Sequence, residues 1–207
     1  MSGLFISIEG SDGSGKSTQI ENIRKYFEEK GVEVVFTREP GGTPIGERLR
    51  EIILGNNCSE MDSMTEALLY AASRAQHVAE VIRPALDEGK VVVCDRFLDS
   101  SLAYQGYGRK LGDSVYEINR HAVMGTMPDV TFLLKLDPSV GKHRIEENRS
   151  EQDRLEHEKM AFHRAVYEGY LELEKKYPDR IMGIDATGTI EEVKAQIYRK
   201  LDEICGL

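Results

Sequence analysis

Five short runs along the chain are apolar almost throughout and rich in β-branched residues: residues 4–8, 32–37, 91–94, 130–136 and 181–184. Between them apolar residues return every three or four positions, at 17–30, 45–54, 65–87, 114–124, 139–147, 155–177 and 190–205. A continuous apolar run is a strand buried on both faces, and the three-to-four spacing marks one face of a helix. Their alternation predicts an α/β fold: a five-stranded parallel sheet with helices on both faces. Right-handed crossovers then bring every strand's C-terminal end to one edge, where such sheets bind ligands.

Two polar stretches interrupt this pattern. Residues 55–62 link two helical segments, and 146–154 read Glu-Glu-Asn-Arg-Ser-Glu-Gln-Asp-Arg. Both are expected to be inserted, mobile pieces, the second a short lid. No repeat and no linker divides the chain, so residues 1–207 form one domain on this reading.

The expected ligand edge is where the chemistry gathers. After the first strand, residues 10–17 read Gly-Ser-Asp-Gly-Ser-Gly-Lys-Ser, which satisfies G-x-x-x-x-G-K-[ST] at every fixed position, and Thr18 continues into a helix. Strand, glycine turn and helix start in that order make a phosphate cradle, because the helix opens with unpaired amides and the positive end of its dipole. Gly10, Gly13 and Gly15 let the backbone wrap closely, Lys16 reaches the outer phosphates, and the Ser17 hydroxyl suits Mg²⁺. Ser11, Asp12 and Ser14 fill the variable positions, so residues 10–18 are the expected nucleoside triphosphate site. Asp12 is unfavourable beside phosphate unless it meets a cation or a hydroxyl, such as a sugar hydroxyl or metal-bound water.

After the third strand come Asp95 and Arg96. The acid is placed to bind Mg²⁺ directly or through water, and the arginine to fork around a phosphoryl group; a structural ion pair at a strand end is the alternative. Tyr70 and Arg74 are one helical turn apart with small residues between. A flat ligand could lie on the ring while the guanidinium reaches its polar edge, although core plus surface is the commoner use of such a pair. Ser100, Ser101, Tyr104 and Gln105 bring hydroxyls and an amide to the same strand end, and an amide pairs well with a nucleobase edge. Arginines near the polar stretch, Arg149 and Arg154, are either lid groups that close over developing charge or part of a solvated loop.

Composition narrows the setting. The chain carries a net charge of −9, which excludes a general nucleic-acid surface and requires local arginines to hold anionic substrates. No apolar stretch is long enough to cross a bilayer, and the N-terminus runs directly into strand and phosphate loop, so neither membrane anchoring nor a signal peptide is expected. Cys58, Cys94 and Cys205 form no C-x-x-C pair, which fits reduced thiols in the cytoplasm. A guanine-specific switch protein would need an N-K-x-D element, and none occurs.

Taken together, the phosphate loop, Arg38-Glu39-Pro40-Gly41-Gly42-Thr43, Ser73-Arg74-Ala75-Gln76-His77, Asp95-Arg96-Phe97, residues 104–109 and Asp153-Arg154-Leu155-Glu156 resemble the bacterial thymidylate kinase family. The resemblance spans most of the chain in the family's order. It implies a P-loop nucleoside monophosphate kinase fold, transfer of phosphate from ATP to dTMP with Mg²⁺, and a homodimer. By the same resemblance, Tyr70 stacks on thymine, Arg74 and Gln105 hydrogen-bond the base with Ser101 beside them, and Arg96 holds the dTMP phosphate. Glu39 and Asp12 lie near sugar and metal, Arg50 approaches the acceptor phosphate, and Tyr104 disfavours a ribose 2′-hydroxyl. The family places a catalytic arginine either in the phosphate loop or in the lid. With no arginine in the loop here, Arg149 is the best match, and Arg144 and Arg154 are its rivals. The turn at 185–188 falls where the family's late loop approaches adenine.

Overall fold

The computed structural model describes residues 3–148 and 153–206, with residues 146–148 described by backbone alone. Strands β1 (Leu4–Gly10), β2 (Val34–Arg38), β3 (Val91–Asp95), β4 (Val130–Lys135) and β5 (Ile181–Asp185) form a parallel sheet in the order β2-β3-β1-β4-β5. Alternation within these runs sorts the core into two layers. Ile6, Ile8, Val93, Phe132 and Leu134 meet Ile23 and Phe27 of α1 (Lys16–Glu29) and Val193, Ile197 and Leu201 of α9 (Ile190–Cys205). Phe5, Val92, Cys94 and Leu133 face the other layer, with Val78, Ile82, Phe97, Val166 and Tyr170. Both sheet faces are therefore dry, which is why the strands read as unbroken apolar runs.

Register fixes the functional edge. Ile8 lies opposite Asp95, Asp95 opposite Arg38, and Gly10 opposite Leu134. The chain leaves β1, β2 and β3 side by side at this edge, so the phosphate loop, the segment after Arg38 and Arg96 converge.

Helices α2 (Pro44–Leu54), α3 (Ser63–His77), α4 (Arg83–Asp87), α5 (Leu98–Ser101), α6 (Ser114–Val123), α7 (Pro138–Asn148) and α8 (Met160–Lys176) complete the layers. Three depart from the expected pattern. The single helix expected over 65–87 begins earlier, where Asp62 accepts from the Met64 amide at 2.8 Å, and loosens into a π-helical turn at Val78–Ile82. Pro84 follows at once, and its missing N–H cannot continue the α-helical ladder. The helix expected from residue 155 starts at Met160, because the Asp153 carboxylate accepts from the Leu155 and Glu156 amides at 2.9 and 3.0 Å and holds a turn. Conversely, residues 98–108 are helical, α5 running into a π-helical stretch at Leu102–Gly108. Gly106 and Gly108 argue for a loop by propensity, but α8 packs so closely that a Cβ on Gly108 would lie 2.6 Å from the Phe162 ring.

Of the two polar stretches, 55–62 forms a 3₁₀ turn at Asn56–Cys58 and then caps α3. In the other, α7 runs on to Asn148, while residues 149–152, and with them Arg149, lie outside the described residues. One contact ties α7 to the phosphate loop. Gly13, at φ 75°, lies directly against Gly141, and a Cβ on either would collide with the other's backbone or with the Asp12 carbonyl.

Gly141→Ala should therefore push α7 off the phosphate loop, costing about 1–3 kcal/mol by overpacking and weakening ATP binding in parallel. Thermal melts and ATP titration check this; an unchanged melt with unchanged affinity would show that the loop does not rest on α7.

Candidate active site

After Gly10 (φ 139°) the chain turns through Gly13 (φ 75°) and Gly15 (φ 93°) before α1 opens at Lys16. These backbone angles are the ones side chains resist, which explains three glycines in six residues. Lys16 is buried, and its Nζ donates to the Gly10 and Ser11 carbonyls at 3.1 Å each. No side chain caps α1, leaving its first amides open to an anion. The Ser11 and Ser14 hydroxyls are buried without partners, so the loop holds unmet hydrogen-bonding capacity. Ser17 and Thr18 stand exposed at the helix start.

Arg96 follows β3 in a left-handed conformation, φ 67°, which costs a non-glycine residue roughly 1–3 kcal/mol. Its amide bonds the Ile8 carbonyl at 3.0 Å. Its Nη1 donates to the Gly10 carbonyl (3.0 Å), Ser100 (3.1 Å) and Tyr170 (3.2 Å), and its Nη2 to Asp12 and to the Tyr104 hydroxyl at 3.3 Å. Asp12 thus meets a cation and a hydroxyl, both from the protein: its second oxygen accepts from Tyr104 at 2.8 Å. The expected sugar hydroxyl or metal-bound water would have to share those oxygens. Burial works to raise the Asp12 carboxyl, but Arg96, then Lys16 and Tyr104, outweigh it and hold it at about 2. Burial and the nearby Arg96 charge push Lys16 down to about 8, against the pull of Asp12, Asp95 and Glu9. Two cations are held close in a dry place, an arrangement that an anion between them would relieve.

Helix α3 builds the adjoining wall. Tyr70 and Arg74 share a face, as their spacing predicts, but Arg74 is only 1% exposed and its guanidinium already makes four hydrogen bonds. Nε donates to Glu39 at 2.8 Å, with Nη2 2.7 Å from the same carboxylate oxygen as an ion pair; Nη1 donates to Ser101 (3.1 Å) and Asn119, and Nη2 to the Phe97 carbonyl at 3.0 Å. Arg74 thus braces the wall while also bordering the cavity, where its spacing with Tyr70 places it. Glu39 is buried between Arg74 and His77, whose Nδ1 lies 2.9 Å away. Gln105 donates through Nε2 to Glu66 at 2.8 Å. Arg50 donates to the Pro40 carbonyl at 2.8 Å, as does Arg38 at 3.1 Å.

These groups line one cavity of about 930 Å³. Asp12, Gly13, Ser14, Gly15, Lys16, Ser17 and Thr18 form one end; Glu39, Arg50, Tyr70, Arg74, Ser101, Tyr104 and Gln105 form the other; Asp95 and Arg96 stand between. Gly10 and Ser11 do not line the cavity; their carbonyls accept from Lys16. Ala186, Gly188 and Thr189, near the turn expected at adenine, also reach the cavity, as does Arg144. Arg154 is not a free lid group. It is buried, bonds Glu66 at 2.6 Å and the Ile53 carbonyl at 3.0 Å, and so pins the chain to α2 and α3.

The family model described as Thymidylate kinase matches residues 8–197. This chain belongs to the thymidylate kinase family. A thymidylate kinase of Clostridium novyi is 50% identical over 197 residues, covering 94% of this chain and 96% of that one. One from Geobacillus sp. is 48% identical over 209 residues and covers both chains fully. Among solved structures, the thymidylate kinase of Ehrlichia chaffeensis matches with TM-score 0.78 and 34% identity, over 98% of this chain and 99% of that one. The fold expected for the family, a parallel sheet behind a phosphate loop, is the fold observed.

Two buried acids that hold cavity-lining residues in place escape motif reading. Glu9 is fully buried and accepts from the Phe97 amide at 2.7 Å, Ser100 at 2.6 Å and Tyr170 at 2.9 Å. Burial and then Asp99 raise its carboxyl to about 7, against the pull of Arg96. The signal was an acid at the end of an otherwise apolar strand. Glu66 could have been found one turn before Tyr70 on the same helix face.

The Lys16 shift fixes a sign for donor binding. Free, the amine loses its proton as pH passes about 8; phosphate oxygens favour the charged form and raise that value. ATP binding should therefore take up a proton, and weaken, as pH rises from about 8 upward, an uptake that disappears below pH 7. Calorimetry in buffers of different ionisation enthalpy measures it, and no uptake at pH 8.5 would contradict it.

Proposed function

We propose that this chain transfers the γ-phosphoryl group of ATP to the phosphate of dTMP, giving ADP and dTDP, in one in-line step without a phosphoenzyme. An oxygen of the acceptor phosphate forms the new bond to the γ-phosphorus as the bond to the β,γ-bridging oxygen breaks, and the electron pair leaves with ADP. The acceptor is already ionised at neutral pH, so positioning and charge neutralisation do most of the work. The observation that carries this reading is that Lys16 and Arg96 border one cavity, with a phosphate loop at one end and an aromatic, amide-bearing wall at the other. Lys16 and the α1 amides hold the donor phosphates; Arg96, aided by Arg50, aligns the acceptor; an arginine near the lid, Arg149 or Arg144, completes the shell. Tyr70 offers its ring to thymine, and Tyr104, fixed by Asp12, fills the space a 2′-hydroxyl would need.

Mg²⁺ fits the donor set. Oδ1 of Asp95 is buried without a partner beside the loop, and Ser17 presents a hydroxyl nearby; both are hard oxygen ligands. Among the described residues no group of three or more His, Cys, Asp or Glu could cage a metal alone, so substrate oxygens and water would complete its ligand set. When bound, the ion neutralises charge on the β- and γ-oxygens.

The same reading includes a homodimer and a cytoplasmic site. Ile45 and Ile52 on α2, Leu68 on α3 and Tyr116 on α6 are exposed apolar groups on helices that pack side by side, a surface suited to a second copy. Cys58, Cys94 and Cys205 are free thiols. No helix among the described residues is long and apolar enough to cross a membrane.

A coupled ADP-release assay across dTMP, dUMP, UMP, CMP and AMP should show a strong preference for dTMP. Comparable use of UMP would refute the role given to Tyr104, and ATP binding without dTMP-dependent ADP would reduce the chain to a nucleotide sensor. Arg96→Lys, which keeps the charge but loses the fork, should lower kcat at least about thirtyfold, or roughly 2 kcal/mol. A rate within about threefold of the parent would remove Arg96 from the mechanism.

A further inference from the structure

Glu66 lies in the first turn of α3 with its side chain wholly buried. Its Oε1 accepts from Gln105 Nε2 at 2.8 Å and Arg109 Nε at 3.2 Å, and its Oε2 from Arg109 Nη2 at 3.0 Å and Arg154 Nη2 at 2.6 Å. Burial alone would raise this carboxyl, but the Arg109 and Gln105 hydrogen bonds, with Arg154 behind them, hold it below its ordinary value. An ionised carboxylate only accepts, whereas an amide has one donating and one accepting end. The NH₂ of Gln105 is therefore the only end that can face Glu66. Gln105 borders the same cavity as Tyr70, Arg74 and Ser101, and its Oε1 receives no hydrogen bond from the described residues.

We propose that Glu66 is a specificity-determining positioning residue: it fixes the Gln105 amide with its carbonyl oxygen toward the base, so that the site takes a pyrimidine with N–H at ring position 3 and rejects one with a lone pair there. This rests on the dTMP reading given above. Thymine and uracil carry that hydrogen; cytosine presents a lone pair, which repels the carbonyl and leaves a buried acceptor unpaired, a mismatch that discriminates far better than shape alone. The lock is braced from a distance. Arg154 also bonds the Ile53 carbonyl, and its amide bonds that of Leu54 at 3.3 Å, so α2 and the turn before α8 hold the carboxylate that holds the amide.

Glu66→Gln removes the constraint, since a neutral amide can offer Gln105 either end. The ratio of kcat/KM for dTMP to that for dCMP should fall at least tenfold, through a higher KM for dTMP, with the KM for ATP within twofold of the parent. Glu66→Asp keeps the acceptor-only carboxylate and should retain the parent ratio within threefold. A folded Glu66→Gln with an unchanged ratio overturns the proposal, as does a ratio lost equally in both variants. If Glu66→Gln does not melt cooperatively, the unaltered protein is titrated with dTMP and N3-methyl-dTMP, which lacks the ring hydrogen. Binding at least tenfold weaker is expected of the methylated ligand, and equal binding refutes the orientation. A parent that releases no ADP with dTMP would instead refute the underlying substrate reading, so the two failures are distinguishable.

Discussion

Arg96 leaves the sheet in a left-handed conformation, and its guanidinium gathers the Asp12 carboxylate, the Gly10 carbonyl and the hydroxyls of Ser100, Tyr104 and Tyr170. These partners come from β1, the phosphate loop, the helical stretch after β3, and α8. One side chain thus ties the donor end of the cavity to the acceptor end. The backbone strain is tolerable because the surrounding contacts over-determine it. The same contacts leave the guanidinium little freedom to move, and fixed charge is worth most in a transfer reaction when it need not reorganise.

Overall charge and site charge point in opposite directions. The chain is acidic, at −9, yet Lys16, Arg38, Arg50, Arg74, Arg96 and Arg144 all border one cavity. Five of these six are offset or braced by a local group: Asp12 for Arg96, Glu39 for Arg74, Glu47 for Arg38, and carbonyls for Lys16 and Arg50. An acidic exterior does not attract polyanions at long range, so capture depends on short-range geometry and desolvated hydrogen bonds.

How much of this was legible in the sequence depends on the distance over which the signal acts. The strands and the phosphate loop were readable because an unbroken apolar run and positive-φ glycines are local consequences of burial and backbone shape. Helicity at 98–108 was not, since two glycines opposed it and only the close approach of α8 overrides them. The π-helical turn at Val78–Ile82 had a local cause in Pro84, visible but unread. Among the residues that border the cavity, Tyr70, Arg96 and Gln105 stood out in the sequence by motif and spacing. Arg74 stood out too, but its bracing comes from Asn119 and Glu39, 45 and 35 positions away. Glu66 and Glu9 could be placed by local pattern, but the neighbours they hold, Gln105 and Tyr170, are 39 and 161 positions away, beyond any spacing rule.

The bare backbone contact between Gly13 and Gly141 has a mechanical consequence. Side chains between two segments act as a cushion, able to change rotamer as the segments slide; here there is no cushion, and tightly fitted interiors compress little. The start of α7 and the phosphate loop must travel as one solid piece. A bound triphosphate, by stiffening the loop, stiffens the start of α7 with it.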